Sequence, residues 1–403
     1  MSEEAGTSAS IASGQRHYGL DWLRIGAFGL LILYHIGMVF APWAWVIHVP
    51  YAFPELIVPM ALVTPWRLPL LFAVSGYASR HLFAKSGRND AFLRSRAKRL
   101  LIPLAFGMAV IVPPEMWVLV REHGYPNGYL YFWLHDYLRW GQFWSHEFPS
   151  WEHLWFLAYL AFYTMLLGAA IAWRGDRLFA AFDQLAAWFT RGPRLLWVPV
   201  AALVWAKLSL MFLIAERQGL VTDWTGHALY MPCFLFGFMM GGTERLWPVS
   251  GRLWKPALAT ALAAGAVDAL IEVFYPGSTP IGHATMALDR AARITMAWAM
   301  ILVMFQFAQA LLNHDHPWRA TLAEAVFPFY IIHHPVIVLI VWYAMPLQPS
   351  ALALFAMLLA GTLAAGTAFY LLGRRIRWLR PLIGLSAQPR AKPPAAAKRL
   401  AAG

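Results

Sequence analysis

A single cysteine, Cys233, stands in the 403-residue chain. That excludes an intrachain disulfide and any metal cluster built from cysteines. Charge is also scarce: Asp, Glu, Lys and Arg make up 13% of the chain, where soluble domains carry about 25%. Acidic residues are the rarer sign, 20 against 32 basic ones, which leaves a net charge of +12. The short alternating strands of a membrane barrel are missing, as are an internal repeat, a soluble second domain and a long linker. What is present is apolar: 60% of residues are hydrophobic, with 21 Trp and 15 Tyr suited to interfacial belts. The expected fold class is all-α, a polytopic membrane helical bundle.

Hydropathy places about 10 transmembrane helices, near 18–40, 60–83, 100–120, 154–173, 195–215, 228–243, 255–274, 292–312, 322–343 and 351–373. The second opens with an interfacial piece around Glu55 to Val63. With these spans, Lys and Arg fall overwhelmingly in the alternate segments on the side of the N-terminus. The opposite loops hold Arg121, Arg139, Arg217, Arg290 and Arg293. The positive-inside rule then puts both termini in the cytoplasm and accounts for the net charge without nucleic acid as a partner. Residues 1–17 read as a flexible cytoplasmic tail, followed by an uncleaved first span. A membrane domain covers 18–380, and 386–403 reads as a disordered basic tail near anionic lipid.

Within the first span, YGLDWLRIGAFGLLILYHIGMVF, stand Asp21, Arg24 and His35. Each charged group in a membrane helix costs at least ~2.5–3.5 kcal/mol, so such residues are functional candidates by default. Arg24 and His35 share a face about three turns apart, roughly 16 Å along the axis, and Asp21 precedes Arg24 on the same side. Arg24 therefore belongs to the cytoplasmic half and His35 to the outer half. There a neutral imidazole can accept a proton from a hydroxyl; the blander alternative is a packed, hydrogen-bonded histidine.

Further along, Ser75 and Gly76 allow close helix approach. Arg80 follows at the cytoplasmic end, and RSRAKR opens the third span. Paired guanidiniums such as Arg96 and Arg99 hold phosphates, and a helix N-terminus adds its dipole. Ordinary anchoring is the competing account. The long outer loop, 121–153, interleaves aromatics with His135, Asp136, His146, Glu147, Glu152 and His153. Trp151, Glu152 and His153 are candidates for holding an amphipathic ligand such as a sugar. Their spacing matches no standard metal pattern, so no metal is expected. In the ninth span, FPFYIIHHPVIV, Pro335 leaves the Ile331 carbonyl without its helical donor. Tyr330, His333 and His334 surround that expected break; at 100° per residue, one His of the pair faces the interior squarely. Asp268 and Glu272 either share that cavity or sit solvated at the rim.

In order along the chain, three motifs carry a resemblance: the Arg-x10-His pair of Arg24 and His35, the SGxxxR run from Ser75-Gly76 to Arg80, and the RxxR pair of Arg96 and Arg99. They resemble the acyltransferase 3 family of membrane proteins. The wording LDWLR, YHI, FAVSGY, HLWFL and FYIIHHP looks like its glucans biosynthesis protein C branch. The resemblance implies transfer of an acyl group, succinyl or acetyl, from cytoplasmic acyl-CoA to a hydroxyl of an envelope glycan, across a bacterial inner membrane. Acyl-CoA is then a co-substrate, with no tightly bound cofactor. His35 is the candidate general base, supported by Arg24 and Asp21. Arg80, Arg96, Arg99, Ser75 and Gly76 stand on the CoA side. Trp151, Glu152, His153, Tyr330, His333 and His334 stand on the acceptor side. A transporter or flippase of a glycan or acylated intermediate is the competing class.

Overall fold

The structure is a computed structural model that describes residues 17–386 apart from 48, 145, 212, 215–218 and 278. The expected tails fall almost wholly outside the described residues. The chain is helical nearly throughout. It runs through α1 (Tyr18–Phe40), α2 (Ile57–Ala61), α3 (Thr64–Ser86), α4 (Asn89–Phe106), α5 (Pro113–Glu122) and the single turn α6 (Tyr129–Tyr131). A two-stranded hairpin, β1 (Gly141–Phe143) with β2 (His146–Phe148), interrupts it. Then follow α7 (Trp155–Phe189), α8 (Arg194–Leu210), α9 (Trp224–Met240), α10 (Leu246–Phe274), α11 (His283–Leu311), α12 (Arg319–Ala344), α13 (Ala351–Arg375) and the short α14 (Leu379–Leu382). Gly87 ends α3 in the left-handed region, φ 65°, as a helix stop favours. Asp223 caps α9 by accepting from the Gly226 N–H at 2.8 Å.

Among the described residues, seven helical stretches are long and apolar enough to cross a membrane, and α4 with α5, bent by 41°, makes an eighth. The protein is a multi-pass membrane protein. The two further spans expected from hydropathy correspond to α8 and α9, 17 residues each. At ~26 Å such helices fall short of a ~30 Å hydrocarbon layer. The interfacial start of the second span is present as a short turn at Pro54–Leu56 followed by α2.

Four boundaries differ from the sequence reading. The third span begins at Asn89, because 89–99 alternates charge with Phe92, Leu93 and Ala97 at helical spacing. Arg96 and Arg99 are thus inside a helix, away from any N-terminal dipole. Arg290 and Arg293, placed in an outer loop, lie within α11, where Arg290 pairs with Asp289 and Arg293 with Glu272 of α10. The basic segment after 173 continues as helix past a kink at Arg174. And α12 runs unbroken through both Pro328 and Pro335.

That last continuity has a physical explanation that recurs. A proline in a helix strips the donor from the carbonyl four residues back, and an unmet buried carbonyl costs ~1–3 kcal/mol. At three prolines a side chain from another element fills the vacancy. Pro335 frees the Ile331 carbonyl, which accepts from His153 Nε2 at 2.9 Å. Pro113 frees the Ala109 carbonyl, which accepts from Trp133 Nε1 at 2.7 Å. Pro199 frees the Leu195 carbonyl, which accepts from Trp298 Nε1 at 2.9 Å. The bend between α4 and α5 is a π-turn over Gly107–Ile111, and Tyr137 caps its Met108 carbonyl at 2.8 Å.

α1 packs against α3, α11 and α12, and the most extensive helix contacts are α10 on α11 and α3 on α9. The α3–α9 crossing rests on glycine. A methyl group on Gly76 would run into the Phe234 carbonyl, and one on Gly237 into the Ala73 carbonyl.

Candidate active site

α1 joins two polar sites. At its first turns Asp21 accepts from Arg319 Nη1 at 2.5 Å and lies 3.8 Å from Arg24. Arg24 Nη2 also donates to the Ala323 carbonyl at 3.1 Å. A cavity of ≈ 170 Å³ opens beside them, lined by Asp21, Arg24, Arg99, Arg319 and Glu324. On the other flank of α1 a groove of ≈ 650 Å³ is lined by Arg24, Tyr77, His81 and Lys85. Arg96 lies within electrostatic reach of both Arg24 and Arg99. Its Nη2 donates to Ser79 Oγ at 2.8 Å, and Ser79 in turn donates to the Ser75 carbonyl at 2.7 Å. The RxxR and SGxxxR motifs are thus joined through Ser79, a residue the sequence reading passed over.

Two members expected beside the phosphates lie elsewhere on α3. Arg80 turns toward α7 and α9, with its guanidinium 4.7 Å from the Phe179 ring and 5.4 Å from Phe238. Gly76 faces α9, and Ser75 takes part through its backbone carbonyl. Arg319 is the unexpected partner. It stands first in a long apolar span, which is where an anchoring cation would also stand, so position alone did not single it out.

At the other end of α1, five ionisable side chains meet: His35, His153, His333, His334 and Glu115. His35 Nδ1 is 3.0 Å from His333 Nε2, and His333 Nδ1 is 2.7 Å from the Tyr330 carbonyl. A carbonyl can only accept, so His333 Nδ1 carries a proton. A neutral His333 then offers Nε2 as an acceptor, and His35 Nδ1 donates to it. That leaves His35 Nε2 as a bare lone pair. His35 is partly exposed, whereas His333, His334 and His153 are 0%, 5% and 8% exposed.

The adjacent histidines do not compete for one interior. α12 has neighbours on two sides, so His333 reaches α1 while His334 Nδ1 reaches Glu115 Oε2 on α5 at 2.6 Å. His153 stacks on His334, with ring centroids 4.9 Å apart and planes 12° off parallel. Tyr330 OH donates to the His153 carbonyl at 2.6 Å. Glu115 is fully buried. The sequence reading missed it, although it is the lone carboxylate in the apolar run 100–120 and so carried the same signal that exposed His35.

Glu152 accepts from Ser150 Oγ at 2.6 Å and shapes the turn that presents His153; Trp151 is partly buried against the core. The aromatic loop is mostly its own core. Tyr125, Phe132, Tyr137 and Phe148 are buried together, with Leu130, Leu134 and Trp140 turned outward. Tyr125 OH donates to Asp136 Oδ2 at 2.6 Å; burial and that carboxylate push the phenol up to about 12, so it holds its proton at neutral pH. Asp268 and Glu272 do not reach the histidines. They pair with Arg293 at 3.5 and 3.2 Å.

A family model described as an acyltransferase domain matches residues 17–371, and the chain belongs to this acyltransferase 3 family. The protein is therefore a membrane acyltransferase, and transport has no support from the match. None of the curated proteins and none of the solved structures compared gives a match.

Proposed function

We propose that the protein is an acyl-CoA-dependent O-acyltransferase of a bacterial inner membrane, with both termini cytoplasmic. It moves a succinyl or acetyl group onto a hydroxyl of an envelope glycan, as in the glucans biosynthesis protein C branch. The observation that carries this reading is the fixed tautomer of His35, whose free Nε2 stands on the same helix as the basic cavity around Arg24 and Arg99.

Arg24, Arg96 and Arg99 supply guanidinium donors for the CoA phosphates, where planar charged forks are most effective. The extended pantetheine arm spans the ~16 Å along α1 between Arg24 and His35. His35 Nε2 takes the proton of the acceptor hydroxyl as its oxygen bonds to the thioester carbonyl carbon. The C–S bond then breaks, and the departing CoA sulfur takes the proton from the imidazolium. His333 holds the ring through the transfer and shares the transient charge. No covalent acyl-enzyme is needed. Trp151 and the neighbouring loop aromatics offer flat faces for the sugar, and Glu152 a carboxylate acceptor.

The test is transfer itself. The purified chain in proteoliposomes, given acyl-labelled CoA on one side and an envelope glucan on the other, yields labelled glucan if the reading holds. Hydrolysis of the thioester with no label on the glucan, at any acceptor concentration, contradicts it.

A further inference from the structure

With an ionised Glu115 and a neutral His153, no hydrogen atom lies between the two. The Ile331 carbonyl fixes the proton of His153 on Nε2, so a neutral His153 offers only a lone pair at Nδ1. That lone pair faces Glu115 Oε1 at 3.4 Å, and neither atom has a hydrogen-bond partner in the structure. Two bare acceptors buried face to face repel unless a proton or a metal ion lies between them. The third group, His334, brings Nδ1 into the same space, and one ligand atom from each of Glu115, His153 and His334 lies within 4.8 Å of the others.

We propose that Glu115, His153 and His334 form a binding site for a divalent transition-metal ion of the Zn²⁺ type. One ligand pair already stands at the spacing of that ion. Ligands at ~2.0–2.1 Å in a tetrahedron stand roughly 3.3–3.4 Å apart, which is the separation of His153 Nδ1 and Glu115 Oε1. Two imidazoles and one carboxylate suit a borderline-soft cation better than Ca²⁺ or Mg²⁺. The outer support is also in place, since a metal-bound histidine commonly donates its other N–H to a carbonyl, as His153 does to Ile331. On binding, His334 gives up the Nδ1 proton now held by Glu115 Oε2 and turns that lone pair to the metal; the proton leaves to solvent. A fourth position remains for water. The ion ties α5, the turn before α7 and α12 together one ring away from the base, as the His35 and His334 centroids are 5.0 Å apart. The sequence spacing concealed this site because each ligand comes from a different element.

The site does not depend on the acyl-transfer reading, and its test is metal content. The full chain in detergent is stripped with chelator, incubated with Zn²⁺, desalted and assayed for bound metal. The expected result is about one zinc per chain, with Co²⁺ giving the visible absorption of a tetrahedral site. Glu115→Gln and His153→Ala each bring bound zinc to background, while His35→Ala retains it. Wild-type protein with less than about a tenth of an equivalent overturns the proposal and leaves a shared proton between His153 and Glu115 as the occupant. Equal zinc in wild type and both variants overturns it too, by placing the ion elsewhere. Should a variant fail to fold, the wild-type stoichiometry alone decides.

Discussion

At the N-terminal end of α1, the partly exposed Asp21 and Arg24 pair with the buried Arg319 around a cavity. At its other end His35 meets His333 in a network whose remaining members are nearly inaccessible. The two ends solve the membrane's charge problem in opposite ways. The first keeps permanent charges at an opening where solvent and a polyanionic ligand can share them, which suits binding that salt weakens. The second removes solvent and fixes the protons of His333 and His153 by backbone carbonyls at Tyr330 and Ile331. That suits proton transfer, in which one lone pair must be ready and the others committed. On the proposed reading, one helix holds a binding chemistry and a bond-making chemistry about three turns apart.

Substitutions at the two ends are therefore expected to break different things. The largest effect falls on His35→Ala, which loses the base and drops the transfer rate by ~10²–10⁴-fold. His333→Ala comes next. It leaves the base present but unheld and lowers kcat by up to ~10²-fold with KM for acyl-CoA little changed; a matching rise in KM would place His333 in binding instead. At the other end Arg99→Ala is expected to raise the dissociation constant for acyl-CoA about 10-fold at low salt, with a smaller difference at high salt. Calorimetry across a salt series checks this, and a salt-independent change would sink the phosphate assignment. The smallest effect is expected from Trp298→Phe, away from both ends. It strips the Leu195 carbonyl of its donor, so thermal unfolding should show a loss of about 1 kcal/mol while transfer per folded molecule stays at the wild-type level.

Much of this was legible before any coordinates. The apolar run around Arg24 and His35 announces a span, its polar residues mark it for scrutiny, and Pro335 announces a carbonyl in need of a donor. The identity of that donor was not legible, because His153 reaches it from a distant part of the chain. Nor was the unbroken course of α12, since the expected break presumed that nothing would replace the missing bond. Arg80 reads as part of a cationic cluster in sequence, but a helix turns each successive residue by 100°, and its direction depends on where α7 and α9 pack. Glu115 was overlooked for a different reason: it sat in a segment read for hydropathy, although the rule applied to His35 applies to it equally.

The central claim is that α1 separates binding from chemistry, and one preparation of the His35→Ala variant tests it directly. Acyl-CoA affinity and acyl transfer are measured side by side against the wild type. The account predicts affinity within about twofold of wild type together with transfer reduced at least ~10²-fold. Transfer at the wild-type rate, or loss of acyl-CoA binding together with transfer in a folded protein, would contradict it.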